Sequence, residues 1–205
     1  RFRGIKQLDW DVHGTTICLI GPGNSTKTTI LDAIEYALFP RWNLVLTDSD
    51  FYQGITSEPI EIVVTVSELP KALLSDEKFG LHLRGWNAKD GLRDEPQDGD
   101  ESVLSVRLQV DESLEPVWTI ITDRNPDGCT ISARDREKLG LVRLTAYLDR
   151  QLSWSRGSAL SRFTGDTENI GAILADASRS ARDVIQKADL PKLAEAAERA
   201  QKVAA

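Results

Sequence analysis

The sequence predicts an α/β fold: a strand–loop–helix unit in front, an antiparallel β-rich lobe behind it, and a helical tail. Three observations carry this expectation. Thr15 to Ile20 is a β-branched apolar run that suits a buried strand, and a loop of mostly small residues leads from it into a segment whose apolar residues Ile30, Leu31, Ile34, Ala37 and Leu38 recur at helical spacing. Ile60, Ile62, Val64 and Val66 alternate with period two. From about Ser158 the chain turns to Ala, Glu, Lys, Arg and Leu, the composition of helices.

Taken in order, Phe2 to Val12 alternates loosely, with Ile5, Leu8, Trp10 and Val12 as apolar positions, and is expected to be a strand. His13-Gly14 turns the chain into the buried strand. The helix beginning at Thr28 stops at Pro40. Pro59 to Ser67 is strongly β-forming, and Glu68 to Leu74 is expected to contain a helical turn. Asn87 to Glu101 holds six acids (Asp90, Asp94, Glu95, Asp98, Asp100, Glu101) and reads as a solvated hairpin loop. Val103 to Val110 and Val117 to Thr122 form an antiparallel pair, Asn125-Pro-Asp-Gly128 is a turn, and Leu141 to Tyr147 is a further strand. Asp166 or Thr167 caps a helix running toward Ala188. Asp189-Leu-Pro-Lys192 breaks it, and a second helix runs from Lys192 to the end. Its small residues Ala194, Ala197 and Ala200 fit close packing on a partner, as a helical arm, a dimerisation helix or a covering helix. The boundary implied is 1–156 for the front domain, with the β-rich lobe at about 55–146, and 157–205 for the helical segment.

Composition narrows the function. The chain has 205 residues, and 25 Lys and Arg stand against 32 Asp and Glu, a formal charge of −7. That balance argues against a surface coated in basic patches but leaves local nucleic-acid contacts open. The apolar runs Ile17 to Ile20 and Ile62 to Val64 are far too short to cross a bilayer, and no secretory segment is expected at the start. Two cysteines make no disulfide framework, so a reducing, cytoplasmic setting is expected, with Cys18 a small core residue. No His or Cys pair has zinc-ligand spacing, and His13 and His82 have no nucleophile motif beside them.

Chemistry concentrates in Gly21-Pro-Gly-Asn-Ser-Thr-Lys-Thr-Thr29. Gripping a triphosphate needs a curled backbone whose amides point at one anion, a lysine for the β- and γ-phosphates, and a hydroxyl next to it for Mg²⁺. Gly21, Pro22, Gly23, Asn24 and Ser25 supply the curl, Lys27 the cation, and Thr28 the hydroxyl. Thr29 and the helix N-terminus complete the cradle. The usual pattern places glycine just before the lysine. Thr26 stands there instead, keeping its amide for phosphate but adding a side chain where close approach is wanted. The expected ligands are ATP and Mg²⁺.

With these residues in place, Phe2-Arg-Gly-Ile5 followed by Ile20-Gly-Pro-Gly-Asn-Ser-Thr-Lys-Thr-Thr-Ile-Leu-Asp-Ala-Ile34 resembles the N-terminal part of an SMC- or RecF-type ABC ATPase head, a P-loop NTPase. Leu31-Asp-Ala-Ile-Glu-Tyr-Ala-Leu38 and Thr47-Asp-Ser-Asp-Phe-Tyr52 are most similar to ATP-dependent endonucleases of the OLD (overcoming lysogenization defect) family. The specific part of the resemblance covers about residues 1–52. It implies nucleotide-driven engagement of two heads in a homodimer, DNA as a substrate of the full protein, magnesium dependence, and hydrolase chemistry away from any membrane. It also implies a nucleotide contact near Arg3 and a Mg²⁺-holding residue after the β-rich section, for which Gln151 and Asp149 are candidates. Asp48 and Asp50 resemble a metal pair, but capping a turn, with Phe51-Tyr52 packed on the core, explains them as well.

The resemblance stops short of the catalytic parts of such heads. No signature motif, no apolar run ending in Asp-Glu, no switch His and no acidic Toprim cluster is present; Val110-Asp-Glu112 is the nearest and sits in a hairpin. Three functions therefore fit: the ATP-binding part of an OLD-like endonuclease, a RecF/SMC-like repair or chromosome head without nuclease activity, or a dimerisation scaffold whose altered loop no longer binds nucleotide.

Overall fold

The computed structural model describes residues 1–12, 14–144, 152–153, 158–160 and 167–187. The chain divides into two compact units, Arg1–Val142 and Arg143–Ala205. The first unit is a mixed α/β structure built on a six-stranded antiparallel sheet.

Strand β4 (Glu101–Val110) is the spine of that sheet. Its first residues pair with β2 (Arg84–Asn87), which continues to β3 (Gly91–Arg93), and its remaining length pairs with β1 (Ile60–Val66) from Leu104↔Val66 to Val110↔Ile60. On its other edge runs β5 (Pro116–Ile121), followed by the short β6 (Cys129–Thr130). The period-two residues expected at 60–66 and 103–110 are those that pair. Leu104, Val106, Leu108 and Val110 are all buried, and their alternation sends them to one face. The one polar neighbour lost to water on β4, Ser105, meets Thr65 across the ladder at 2.8 Å, so its hydroxyl is satisfied. The expected turn at Asn125–Gly128 is closed by the Asn125 side chain, which accepts from the Gly128 amide at 3.2 Å. Gly128 has φ +74°, and a Cβ there would lie 2.3 Å from the Ile120 carbonyl oxygen, so only glycine fits.

Helix α1 (Lys27–Leu38) packs on β1 and β4. Ala37 and Leu38 are buried there, and Pro40 ends the helix because it has no amide to continue the ladder. Trp118 fastens the sheet to the end of α1. Its indole Nε1 donates to the Tyr36 carbonyl at 2.9 Å, filling one of the acceptors that every helix end leaves over. On the Trp118 ring lies Arg136, 3.9 Å from the centroid and 1% exposed; it belongs to α3 (Ala133–Glu137), capped by Ser132. Burial pushes the Arg136 guanidinium down to about 10, and it donates to the Arg41 carbonyl. The expected helical turn before residue 74 is α2 (Lys71–Leu74).

Four expectations need correction. Phe2 to Val12 is not a strand: Phe2 bridges only to Ile5 and Phe51, and Leu8, Trp10 and Val12 are exposed. A groove of about 1230 Å³ separates residues 5–12 from β1, so the apolar alternation has no ladder to join. Thr15 to Ile20 is neither strand nor buried; Ile20 is 90% exposed, and Cys18 is exposed rather than a core residue. A β-branched run becomes a strand only beside a partner, and the described residues give it none. The acidic stretch is not simply solvated. Asp100 accepts from Asn87 Nδ2, the Gln97 amide and Arg93, and Asp94 accepts from the amides of Asp123 and Arg124. Finally, residues 141–144 carry no regular structure, while 145–147 lie outside the described residues.

In the second unit, α4 (Thr167–Lys187) matches the helix expected from Asp166 or Thr167 toward Ala188. Ile173, Leu174, Val184 and Ile185 are exposed along it. The expected helix from Lys192 onward lies outside the described residues. Among the described residues no helix is long and apolar enough to cross a membrane.

Candidate functional site

The loop from Gly21 to Thr26 runs along the surface and delivers the chain into α1. Two residues in it take left-handed backbone: Asn24 at φ +57° and Thr26 at φ +62°. Gly23, Ser25 and Lys27 do not, so the hand alternates along the loop. Alternation of this kind turns successive amides toward one side, making a concavity that suits an anion. The first α-helical bond is from the Ile30 amide to the Thr26 carbonyl at 3.0 Å. Among the described residues the amides of Gly23 to Thr29 meet no acceptor. No acid sits in the first turn of α1 to offset its dipole.

Lys27 closes this concavity. Its ammonium donates to the Gly21 carbonyl at 2.8 Å, the Pro22 carbonyl at 2.5 Å and the Ser25 hydroxyl at 2.8 Å. An ammonium has three donors, and these partners use all three. A Cβ on Gly21 would lie 2.9 Å from Ser25 Oγ, so a larger residue there would displace that hydroxyl from its place beside Lys27. Thr28 and Thr29 follow on the first turn of α1, with Thr28 exposed. Among the described residues no group of three or more His, Cys, Asp or Glu is placed to hold a metal ion. The polar groups this loop presents are its backbone amides, the Lys27 ammonium and the Thr28 hydroxyl.

Thr26 explains why the usual pattern has glycine before the lysine. Left-handed backbone is costly for a β-branched residue, of order 1 kcal/mol or more. The chain accepts that cost here, and Thr26 Oγ1 donates to the Ser25 carbonyl at 2.6 Å.

No protein-family model matches this chain, and no curated protein matches it. The site therefore rests on its own geometry.

Arg3 lies in the turn whose Gly4 stands near Thr26 of the loop. Its Nε donates to Asp50 at 2.8 Å, Nη1 to Asp32 at 2.5 Å, and Nη2 to the Tyr36 hydroxyl at 3.1 Å, while its guanidinium lies over the Phe2 ring. These bonds pin the N-terminal turn to α1 and to the segment around Asp50. Asp50 also accepts from the Thr47 amide at 3.0 Å, and Phe51 is buried, so capping and packing account for the Asp48/Asp50 pair. Gln151 and Asp149 lie outside the described residues. Sequence reasoning missed Asp32 and Tyr36 as partners of Arg3, and Gly4 as a neighbour of the loop. Asp32 and Tyr36 do share a helix face at i, i+4 spacing, but nothing in the sequence points that face at residue 3.

The Arg3–Asp50 pair gives a pH prediction. Burial works against the Asp50 charge, but the bonds from Arg3 and from Thr47 outweigh it and hold the carboxyl below its ordinary range. Folding therefore gains stability from this group above the ordinary aspartate value of about 3.9 and loses it as pH falls through the lower folded value. Asp50→Asn is expected to cost about 2 kcal/mol at pH 7, with the gap to the parent closing only below about pH 4, as read by urea unfolding across pH.

Proposed function

We propose that this chain is the nucleotide-binding part of a P-loop ATPase resembling the SMC/RecF-type heads of OLD-family endonucleases, taking Mg²⁺·ATP at Gly21 to Thr29. The observation that carries the reading is the run of amides from Gly23 to Thr29 that meet no acceptor among the described residues, in a loop that the Lys27 ammonium ties together at the start of α1. Anions bind where amides and a helix dipole converge, and the neighbouring lysine supplies the countercharge. When bound, the metal nucleotide supplies phosphoryl chemistry; this chain's residues orient it and neutralise its charge. The reading extends to a homodimer whose two copies engage on nucleotide, to action on DNA by the whole protein, and to a cytoplasmic setting. The exposed apolar stripe of α4 supports a second copy as a partner.

A second reading, a scaffold that has lost nucleotide, is favoured by the left-handed threonine at position 26. Calorimetric titration of Mg²⁺·ATP into the full chain separates the two. Binding is expected in the micromolar range, weakened about tenfold when Mg²⁺ is withheld, and Thr28→Ala is expected to abolish that metal dependence. Heat-silent titration, with no displacement of a fluorescent ATP analogue, sides with the scaffold.

A further inference from the structure

The loop's one departure from the usual pattern lies against another glycine. A Cβ built on Gly4 would stand 3.0 Å from the Thr26 Cγ2 methyl, tighter than nearly all real contacts of that kind. Nothing else is within van der Waals reach of it, and the Gly4 backbone is not left-handed, so a side chain at residue 4 would press first on this methyl. The methyl is also fixed. Thr26 is β-branched, and the bond from its Oγ1 to the Ser25 carbonyl holds χ1. The surface it meets is rigid as well. Phe2 and Ile5 exchange both backbone bonds at 2.9 Å around Gly4, the Arg3 amide donates to the Asp50 carbonyl at 2.7 Å, and the Arg3 guanidinium ties the same turn to Asp32 and Tyr36 on α1.

We propose that Thr26 is a positioning residue for the phosphate loop, its methyl seated on Gly4, so that the N-terminal turn sets the loop's curl. The proposal rests on the nucleotide reading for its functional consequence but not for its geometry. A contact between two rigid blocks transmits displacement: anything that lifts the turn moves the amide of Thr26 and the start of α1 together.

The test moves one methyl group. Gly4→Ala, Thr26→Ser and the double variant are made in the full chain, and each is measured for its thermal midpoint without nucleotide and for Mg²⁺·ATP affinity. Gly4→Ala is expected to lower the midpoint and to weaken binding about tenfold, and Thr26→Ser to weaken it about threefold. The double variant, which restores the lost volume from the other side, returns to within about threefold of the parent. Additive losses in both readouts overturn the proposal. So does coupling in the midpoint with no change in affinity, because the contact is then structural only. If the parent binds no nucleotide, the functional reading fails, and coupled or additive midpoints still decide whether the contact braces the loop. If Gly4→Ala does not fold, Thr26→Ser alone decides: an unchanged affinity in that variant overturns the proposal.

Discussion

Lys27→Ala is expected to lower Mg²⁺·ATP affinity about a hundredfold while changing the stability of the empty chain by no more than about 1 kcal/mol. The two halves of that expectation have different origins. In the empty protein the ammonium makes three bonds to its own loop, at Gly21, Pro22 and Ser25, all at the surface where water replaces them readily. On the proposed reading, a triphosphate would bring several anionic oxygens to the same charge. Two charge-assisted bonds lost there, at about 1.5 kcal/mol each, amount to roughly two decades in Kd. Lys27→Arg does not rescue. A guanidinium is a flat fork and cannot occupy the compact point at which three acceptors converge. Parent-like affinity in Lys27→Ala removes this loop from consideration as the nucleotide site.

The entry into α1 was legible because its determinants are local. A curl, a cation and a helix start lie within nine residues, and their spacing alone brings them together. Strands β1, β4 and β5 were legible for a related reason: period two survives when a strand has one face on the core, and Ile60 to Val66 opposite Leu104 to Val110 keeps that pattern in register. What failed was long-range. Thr15 to Ile20 has the propensity of a strand, but a strand is a pairing between segments, and its exposed Ile17 and Ile20 show the propensity without the pair. Phe2 to Val12 fails likewise, standing across a groove from the edge of β1. The partners of Arg3 were not legible either, because Asp32 and Asp50 lie 29 and 47 residues away. Arg136 gave no signal at all. A charged residue in a short helix reads as solvated, and only the face of Trp118 and the Arg41 carbonyl make its burial tolerable.

Trp118→Ala is expected to cost about 4 kcal/mol in urea unfolding, the largest stability loss of any single change considered for this chain. Three interactions converge on that one side chain. Its ring is buried between β5 and α1, so truncation opens a cavity that the paired strand cannot collapse into. Its Nε1 satisfies the Tyr36 carbonyl, which then faces an apolar gap without a donor. Its face also carries the Arg136 guanidinium, already pushed down toward 10 by burial and left with less to offset that burial once the ring is gone. Trp118→Phe separates these contributions. It keeps most of the volume and a stacking face but removes the donor, and is expected to cost about 1–2 kcal/mol. The effect on the phosphate loop is expected to be smaller than the effect on stability. Trp118 grips the last turn of α1 at Tyr36, about two and a half turns from Lys27, and the loop end is held independently by Arg3, Asp32 and Asp50. Mg²⁺·ATP affinity of folded Trp118→Phe within about threefold of the parent fits that division of labour. A tenfold loss in that variant contradicts it, because it makes the sheet, rather than the N-terminal turn, the part of the fold that holds α1 in place for the ligand.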